Sequence, residues 1–549
     1  MKIALAQLNY IVGDFDKNTE NIIRQIEKAK KQNTDLIVFS ELSICGYPPL
    51  DFLENKDFIE KSNQSILKIA KACVKITAIV GAPQINNNTK GKKLFNSAFV
   101  LSEGKIQDSV NKTLLPTYDI FDEYRYFEPN TEFKSIKIQN KRIALTICED
   151  LWDNQPVENS FAQTKLYTKS PLTELKDDYD LVINIAASPF SISQENIREK
   201  VLIDNAKKYN KPIIYVNQVA ANTELIFDGN SMIVNAEGEI IHQLKEFEED
   251  FYIFDTNNTE AKQSNRTEKN NIEQLYQALK LGLNDYFRKM GFKKAVLGLS
   301  GGIDSALVAA IAVDALGKEN VVGILMPSKF SSDHSISDAE DLANNLGIKH
   351  HIIPIKDIVN SFDSSLSNVF AGTEFGIAEE NIQARSRGVI LMAYSNKFGF
   401  ILLNTSNKSE AAVGYSTLYG DMNGGLSILG DVYKTDVFKL CHYINREKEI
   451  IPNNTIVKPP SAELRPDQKD SDSLPDYDTL DSILHLYIEK KDSLQEIINK
   501  GFDRETVSKT ILMVNRNEYK RFQSPPILRV STKAFGLGRR MPLVAKYDF

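Results

Sequence analysis

The stretch AVLGLSGGIDSALVAAIAVDALG, residues 295–317, decides how the second half of the chain is read. Residues 295–299 form an apolar run of strand length, Ser300-Gly301-Gly302 is a tight turn of small residues, and an Ala- and Leu-rich helical pattern runs from Ser305 to a stop at Gly317. The order is strand, glycine loop, helix. Such a loop leaves backbone N–H groups uncovered and points the positive end of a helix dipole at the same place, which suits a phosphate or pyrophosphate. The hydroxyls of Ser300 and Ser305 add donors. Asp304 would repel that phosphate unless a cation such as Mg²⁺ lay between them, so its presence argues for a metal–nucleotide complex.

Rival readings of the stretch fail on particular residues. No Lys follows the glycines as a Walker loop requires, and a dinucleotide GxGxxG is absent. In a membrane span, Asp304 and Asp314 would each cost roughly 2.5–3.5 kcal/mol near the bilayer centre, and the glycine pair breaks the run. SGGIDS (300–305) resembles the pyrophosphate-binding loop of the ATP pyrophosphatase superfamily. Its members split ATP to AMP and pyrophosphate while adenylylating a substrate.

A chain of 549 residues exceeds a single hydrophobic core. A net charge of −7 supplies no basic excess for phosphate neutralisation, so nucleic acid is not an expected partner. The four cysteines (45, 73, 148, 441) form no CxxC pair, and MKIALAQLNY is too short an apolar run for a signal peptide. These features predict a cytoplasmic protein with no membrane partner.

From residue 2 to about 255, apolar strand runs alternate with amphipathic stretches. Strands are predicted at 2–8, 36–40, 77–81, 98–101, 142–147, 181–185 and 213–217, and Ile22, Ile23, Ile26 and Ala29 recur at helical spacing. Three strand ends lead into reactive side chains: Glu41, Lys112 and Cys148. Together they suit hydrolysis of a C–N bond through a thioester. The thiol attacks, the carboxylate takes its proton and later activates water, and the lysine lowers the thiol pKa and stabilises the oxyanion. FSELSICGYPPLD (39–51), NKTLLPTYDIFDEYRYF (111–127) and LTICEDLW (145–152) resemble the catalytic segments of the nitrilase superfamily, and DGNSMIVNAEGEII (228–241) resembles that fold's late hairpin. The resemblance implies an αββα sandwich with Glu41 as base, Lys112 as electrostatic stabiliser, Cys148 as nucleophile and Glu123 as a supporting carboxylate. In relatives that use glutamine it also implies substrate contacts at Tyr118 and Ser188 and at a basic residue six positions after that Ser. This chain has Gln194 there, with Arg198 and Lys200 as nearby candidate replacements.

DTNNTEAKQSNRTE (255–268) is polar and without apolar period, which predicts a linker over 256–270 between domains at 1–255 and 271–549. Ile272, Leu275, Leu279 and Leu283 then start a helix. Strands are expected at 320–326 and 400–404, with helices at 337–346 and 380–398. Arg385 and Arg387 on the latter have a geometry suited to a phosphate or carboxylate. SGGIDS, ENIQARSR (380–387), TSNKSE (405–410), YGDMNGG (419–425) and KPPSAELRPDQ (458–468) occur in the order seen in NAD synthetases, which amidate deamido-NAD⁺. That resemblance implies a Rossmann-like domain with a mostly parallel sheet. It places ATP at Gly298, Leu299, Ser300, Gly301, Gly302, Ile303, Asp304, Ser305, Thr405 and Lys408. It places deamido-NAD⁺ at Asn381, Glu410 and Lys520, and Mg²⁺ at Asp304 and Glu410. It further implies a mobile loop over 459–474 and a homo-oligomer.

One half is thus expected to release ammonia from glutamine and the other to activate a carboxylate with ATP, with covalent joining raising the effective ammonia concentration. The expected products are NAD⁺, AMP, pyrophosphate and glutamate. Amidation of another carboxylate remains an alternative, as does a nucleotide-sensing protein with a decayed amidase. A tRNA sulfur-transfer enzyme would need paired cysteines and a basic face, which this sequence lacks.

Overall fold

The computed structural model describes residues 1–154, 165–176, 178–192, 194–257, 270–466 and 468–547. The chain divides into two compact units, Met1–Glu268 and Lys269–Phe549. Most of the expected linker, residues 258–269, lies outside the described residues.

The first unit contains two six-stranded sheets. One has the order Asp250–Asp255, Lys2–Gln7, Leu36–Val38, Thr77–Ile85, Leu94–Ser102, Lys105–Asn111; the other runs Ile240–Gln243, Met232–Val234, Ile213–Asn217, Leu181–Ala186, Lys141–Ile147, Ile136–Ile138. Each has three parallel strands at its centre and antiparallel flanks. Side-chain alternation along Lys2–Gln7 assigns the layers. Ile3 and Leu5 join the core shared with Leu145, Ile147 and Ile183 of the second sheet, whereas Ala4 and Ala6 face Ile22 and Ile26 of the helix Phe15–Lys31 and Ile66 and Ile69 of the helix Lys56–Ala72. Val201, Leu202 and Ala206 of the helix Gln194–Tyr209 contribute to the core containing the second sheet. The layering is αββα.

The second unit is built on a five-stranded, all-parallel sheet of order Lys349–Ile352, Val321–Leu325, Ala295–Gly298, Ile401–Asn404, Leu426–Ser427. Chain order reverses on either side of Ala295–Gly298, so the crevice between that strand and Ile401–Asn404 is the topological switch point where open α/β sheets bind ligands. The glycine loop and the Thr405-Ser406 turn both lie there. The short strands at 349–352 and 426–427 carry no strong period and escape a sequence reading.

Gly301 has φ +76°, and a Cβ on it would come within 2.2 Å of the Ser335 carbonyl oxygen. Left-handed backbone costs a side-chain-bearing residue about 1–2 kcal/mol before any clash is counted. Gly301→Ala is therefore expected to lower the thermal unfolding temperature and to weaken nucleotide binding, checked by a melt with and without ATP. An unchanged melt would contradict the geometry.

Candidate active sites

In the first unit, the strand Leu36–Val38 delivers Glu41, which is fully buried. Its turn fits closely against the neighbouring strand because Gly81 has no Cβ; one there would meet the Leu42 nitrogen at 2.4 Å. Lys112 follows the strand Lys105–Asn111, and its Nζ donates to Glu41 Oε1 at 2.7 Å and to both Glu123 oxygens at 2.8 Å. Asn96 Nδ2 donates to Glu41 Oε1 at 2.7 Å, the Ala187 amide to Glu41 Oε2 at 3.0 Å, and Tyr47 Oη to Glu123 Oε1 at 2.9 Å. Glu41, Lys112 and Glu123 therefore form one buried cluster.

Cys148 closes the strand Lys141–Ile147 with φ 45°, an uncommon conformation for a residue with a side chain and one that concentrates at functional sites. Asp150, two residues on, fixes this turn. Its Oδ2 accepts from the Ile147 amide at 3.0 Å, and its Oδ1 accepts from the Thr113 and Leu114 amides at 2.9 Å each. One carboxylate thus ties the cysteine turn to the lysine segment.

Burial pushes the Cys148 thiol well up, with the Glu41 charge next; Lys112 opposes both without prevailing. The expected lowering of the thiol pKa by Lys112 is present but outweighed, so a thiolate at Cys148 requires a base to remove the proton. Burial opposes charge on Lys112 too, but Glu123 and Glu41 hold its pKa well above normal. Burial lifts Glu123 from 4.5 to about 7, against the pull of Lys112.

The glutamine-contact candidates come from separate segments of the chain. Tyr118 Oη donates to Glu149 Oε1 at 2.7 Å, as does Tyr167 at 2.8 Å. The Ser188 amide donates to Asn217 Oδ1 at 2.9 Å. Gln194 starts its helix, half-buried. Neither proposed substitute offers a free cation: Arg198 is buried with Nη1 and Nη2 on Asp228, and exposed Lys200 pairs with Asp204 at 2.7 Å.

In the second unit a cavity of about 440 Å³ opens at the switch point. Gly298, Leu299, Ser300, Gly302, Ile303, Asp304, Ser305, Thr405 and Glu410 line it. The Ser300 and Ser305 hydroxyls lie 3.1 Å apart, and the Gly302 amide donates to Ser300 Oγ at 3.2 Å, which sets the loop. Gly301, Asn381, Lys408 and Lys520 do not line it. Gly301 turns against Ser335, Asn381 Oδ1 accepts from Thr417 Oγ1 at 2.8 Å, and Lys520 Nζ donates to the Gly414 and Ser416 carbonyls at 2.7 Å each. The buried Nζ of Lys408 is held by Asp431 and Glu489 at 3.0 Å each, Ser531 Oγ at 2.7 Å and the Lys533 carbonyl at 3.1 Å.

The cations that line the cavity are instead Lys434, Arg387 and Lys458, the last paired with Asp338 at 2.8 Å. Lys434 lies between Asp304 and Glu410. Arg387 donates Nε to the Met326 carbonyl at 3.0 Å, and burial lowers it to about 10. Burial lifts Glu410 to about 8, with Lys434 opposing and Asp304 adding to the rise. No local motif announces Lys434, which lies 24 positions beyond TSNKSE. Asp304 and Glu410 share one ammonium, so their oxygens converge on a single point, and hard carboxylate oxygens suit Mg²⁺.

A buried thiol with a carboxylate and lysine on an αββα sandwich defines a carbon–nitrogen hydrolase, and a glycine loop at the switch point of a parallel sheet defines a nucleotide-using partner unit. Comparison with known proteins agrees: the carbon-nitrogen hydrolase family matches residues 2–263 and the NAD synthase family residues 275–524. The chain is 48% identical to the glutamine-dependent NAD(+) synthetase of Synechocystis sp. over 99% of each chain, and 42% identical to that of Thermotoga maritima over 100% of this chain and 99% of the other. The structure of the Acinetobacter baumannii enzyme, solved with ADP, is 39% identical, with a TM-score of 0.78 over 99% of this chain and 98% of that one. The chain belongs to the glutamine-dependent NAD(+) synthetases.

Because Glu123 is lifted from 4.5 to about 7, the folded chain keeps a proton between those values that the unfolded chain has released. Its contribution to stability therefore falls as pH rises through that window. Relative to Glu123→Gln, the wild type should lose thermal stability between pH 5 and 7. A pH-independent difference between their melts would refute this.

Proposed function

We infer that the chain makes NAD⁺ by ATP-dependent amidation of deamido-NAD⁺, taking ammonia from glutamine. The carrying observation is that one chain holds both a buried Glu41–Lys112–Glu123 cluster beside Cys148 and a glycine-loop cavity at a switch point. Cys148 Sγ attacks the glutamine carboxamide as Glu41 takes the thiol proton, and Lys112 stabilises the oxyanion. The C–N bond breaks and the proton leaves with ammonia. Glu41 then activates water, which releases glutamate from the thioester. Glu123 keeps Lys112 charged and in place, while Tyr118, Ser188 and Gln194 belong to the glutamine pocket.

In the second unit the deamido-NAD⁺ carboxylate attacks the ATP α-phosphorus and pyrophosphate leaves; ammonia displaces AMP from the acyl adenylate to give NAD⁺. The loop 298–305 and Thr405 position ATP, Asn381 and Lys520 are assigned to deamido-NAD⁺, and Glu410 faces both. Asp304 and Glu410 would hold Mg²⁺, which neutralises phosphate charge when bound. Lys408, locked among Asp431 and Glu489, supports the site from behind.

We also assign the chain to the cytoplasm as a homo-oligomer; among the described residues no helix is long and apolar enough to cross a membrane. The amphipathic helix Lys356–Leu366 buries none of its residues, and Ile358 and Phe362 on it are exposed, which supports a surface for a second copy. Sedimentation should show an oligomer that Phe362→Glu dissociates; a wild-type monomer would overturn the assignment.

Purified protein supplied with deamido-NAD⁺, Mg-ATP and either glutamine or ammonium should form NAD⁺ and AMP from both. Cys148→Ala should lose at least a thousandfold with glutamine and keep its ammonium rate. Retained glutamine use by the variant would remove Cys148 from its role.

A further inference from the structure

Lys434 is the cation that the sequence motifs do not announce, and its placement decides how a metal can enter. It opens the helix Lys434–Ile444, its backbone amide donating to Ser409 Oγ at 2.9 Å. Its Nζ pairs with Asp304 Oδ2 and lies 3.3 Å from Glu410 Oε1. Asp304 comes from the first turn of the helix after the glycine loop and Glu410 from the TSNKSE helix, so this ammonium bridges two segments distant in the chain. The remaining oxygen of Asp304, Oδ1, accepts from Asn407 Nδ2 at 2.8 Å. The Lys434 side chain is 3% exposed, but the carboxylates beside it are 16% and 18% exposed and border the cavity.

A divalent cation placed here would have to compete with an ammonium already shared by both carboxylates. It would also be short of ligands. Mg²⁺ requires about six oxygens in near-octahedral geometry and usually takes only one or two protein carboxylates, with water and phosphate supplying the rest. Among the described residues no group of three or more His, Cys, Asp or Glu is arranged to hold a metal. A triphosphate changes both conditions at once, because it brings oxygens for the cation and an anionic partner for the displaced ammonium.

We propose that Lys434 is a resident counter-ion that keeps the divalent-cation position closed until nucleotide arrives, and then exchanges Asp304 and Glu410 for phosphate as the cation enters. This rests on reading those carboxylates as the metal ligands. It makes metal and nucleotide binding strongly interdependent, and it keeps two partly buried carboxylates compensated while the site is empty.

The test uses Mn²⁺ as the probe, read by the electron paramagnetic resonance signal of the free ion, with the full chain and a non-hydrolysable ATP analogue. The wild type should bind Mn²⁺ at least tenfold more weakly alone than with the analogue, after correction for Mn²⁺ bound by the analogue itself. Lys434→Met should bind Mn²⁺ without nucleotide at least tenfold more tightly than the wild type, and methylammonium, which refills the vacated position, should reverse that gain. Equal nucleotide-free affinity in wild type and folded variant overturns the proposal. If circular dichroism shows Lys434→Met unfolded, Lys434→Gln takes its place under the same criteria. Loss of analogue-supported Mn²⁺ binding in Asp304→Asn and Glu410→Gln supports the metal-ligand reading separately; if both retain it, that reading fails, and the proposal with it.

Discussion

A lysine ammonium enclosed by two carboxylates is the interaction on which both sites depend. At Lys112 it draws together Glu41 from one strand end and Glu123 from a separate turn, and it is fully buried. Burying such charges singly would be prohibitive, and removing one partner of a buried pair costs about 3–5 kcal/mol. The cluster is therefore a fixed point around which the strand ends of the first unit must arrange themselves. The same pattern recurs at Lys408 with Asp431 and Glu489, and at Lys434 with Asp304 and Glu410. Exposure separates them: the Lys112 and Lys408 ammoniums are sealed, whereas the carboxylates of the third are open to a cavity.

Cys148, the proposed nucleophile, illustrates the same balance. An enclosed thiol next to a carboxylate is held protonated, so reactivity must be generated at the moment of attack. Such a thiol is also shielded from adventitious oxidation, because the thiolate is the reactive form. The backbone at Cys148 is held in an uncommon conformation by Asp150, whose three main-chain hydrogen bonds reach both the nucleophile turn and the lysine segment.

Much of this architecture was legible in the chain. Strand runs that end in Glu41 and Cys148, and the glycine pair before an Ala-rich helix, carry local signals that tertiary structure did not override. What stayed hidden is what local patterns cannot encode. Asn96 reaches Glu41 across 55 positions, and Lys434 reaches Asp304 across 130, with no motif around either. Lys408 shows the opposite case: TSNKSE has nucleotide-site composition, but Lys408 opens the helix Lys408–Val413 with its side chain in the interior. The missing charge at Gln194 was visible, yet the nearby basic residues prove to be engaged elsewhere, Arg198 by Asp228 and Lys200 by Asp204.

Lys408 also bears on the order in which the molecule is built. Its ammonium is satisfied in part by Ser531 and by the Lys533 carbonyl, more than 120 positions later in the chain. During synthesis, the loop that frames the nucleotide cavity must wait for that late segment before its buried charge is fully satisfied. The first unit, whose cluster draws only on residues up to Ala187, can close its own site much earlier. A ribosome-bound chain would thus carry a finished amidase site while the synthetase site was still incomplete.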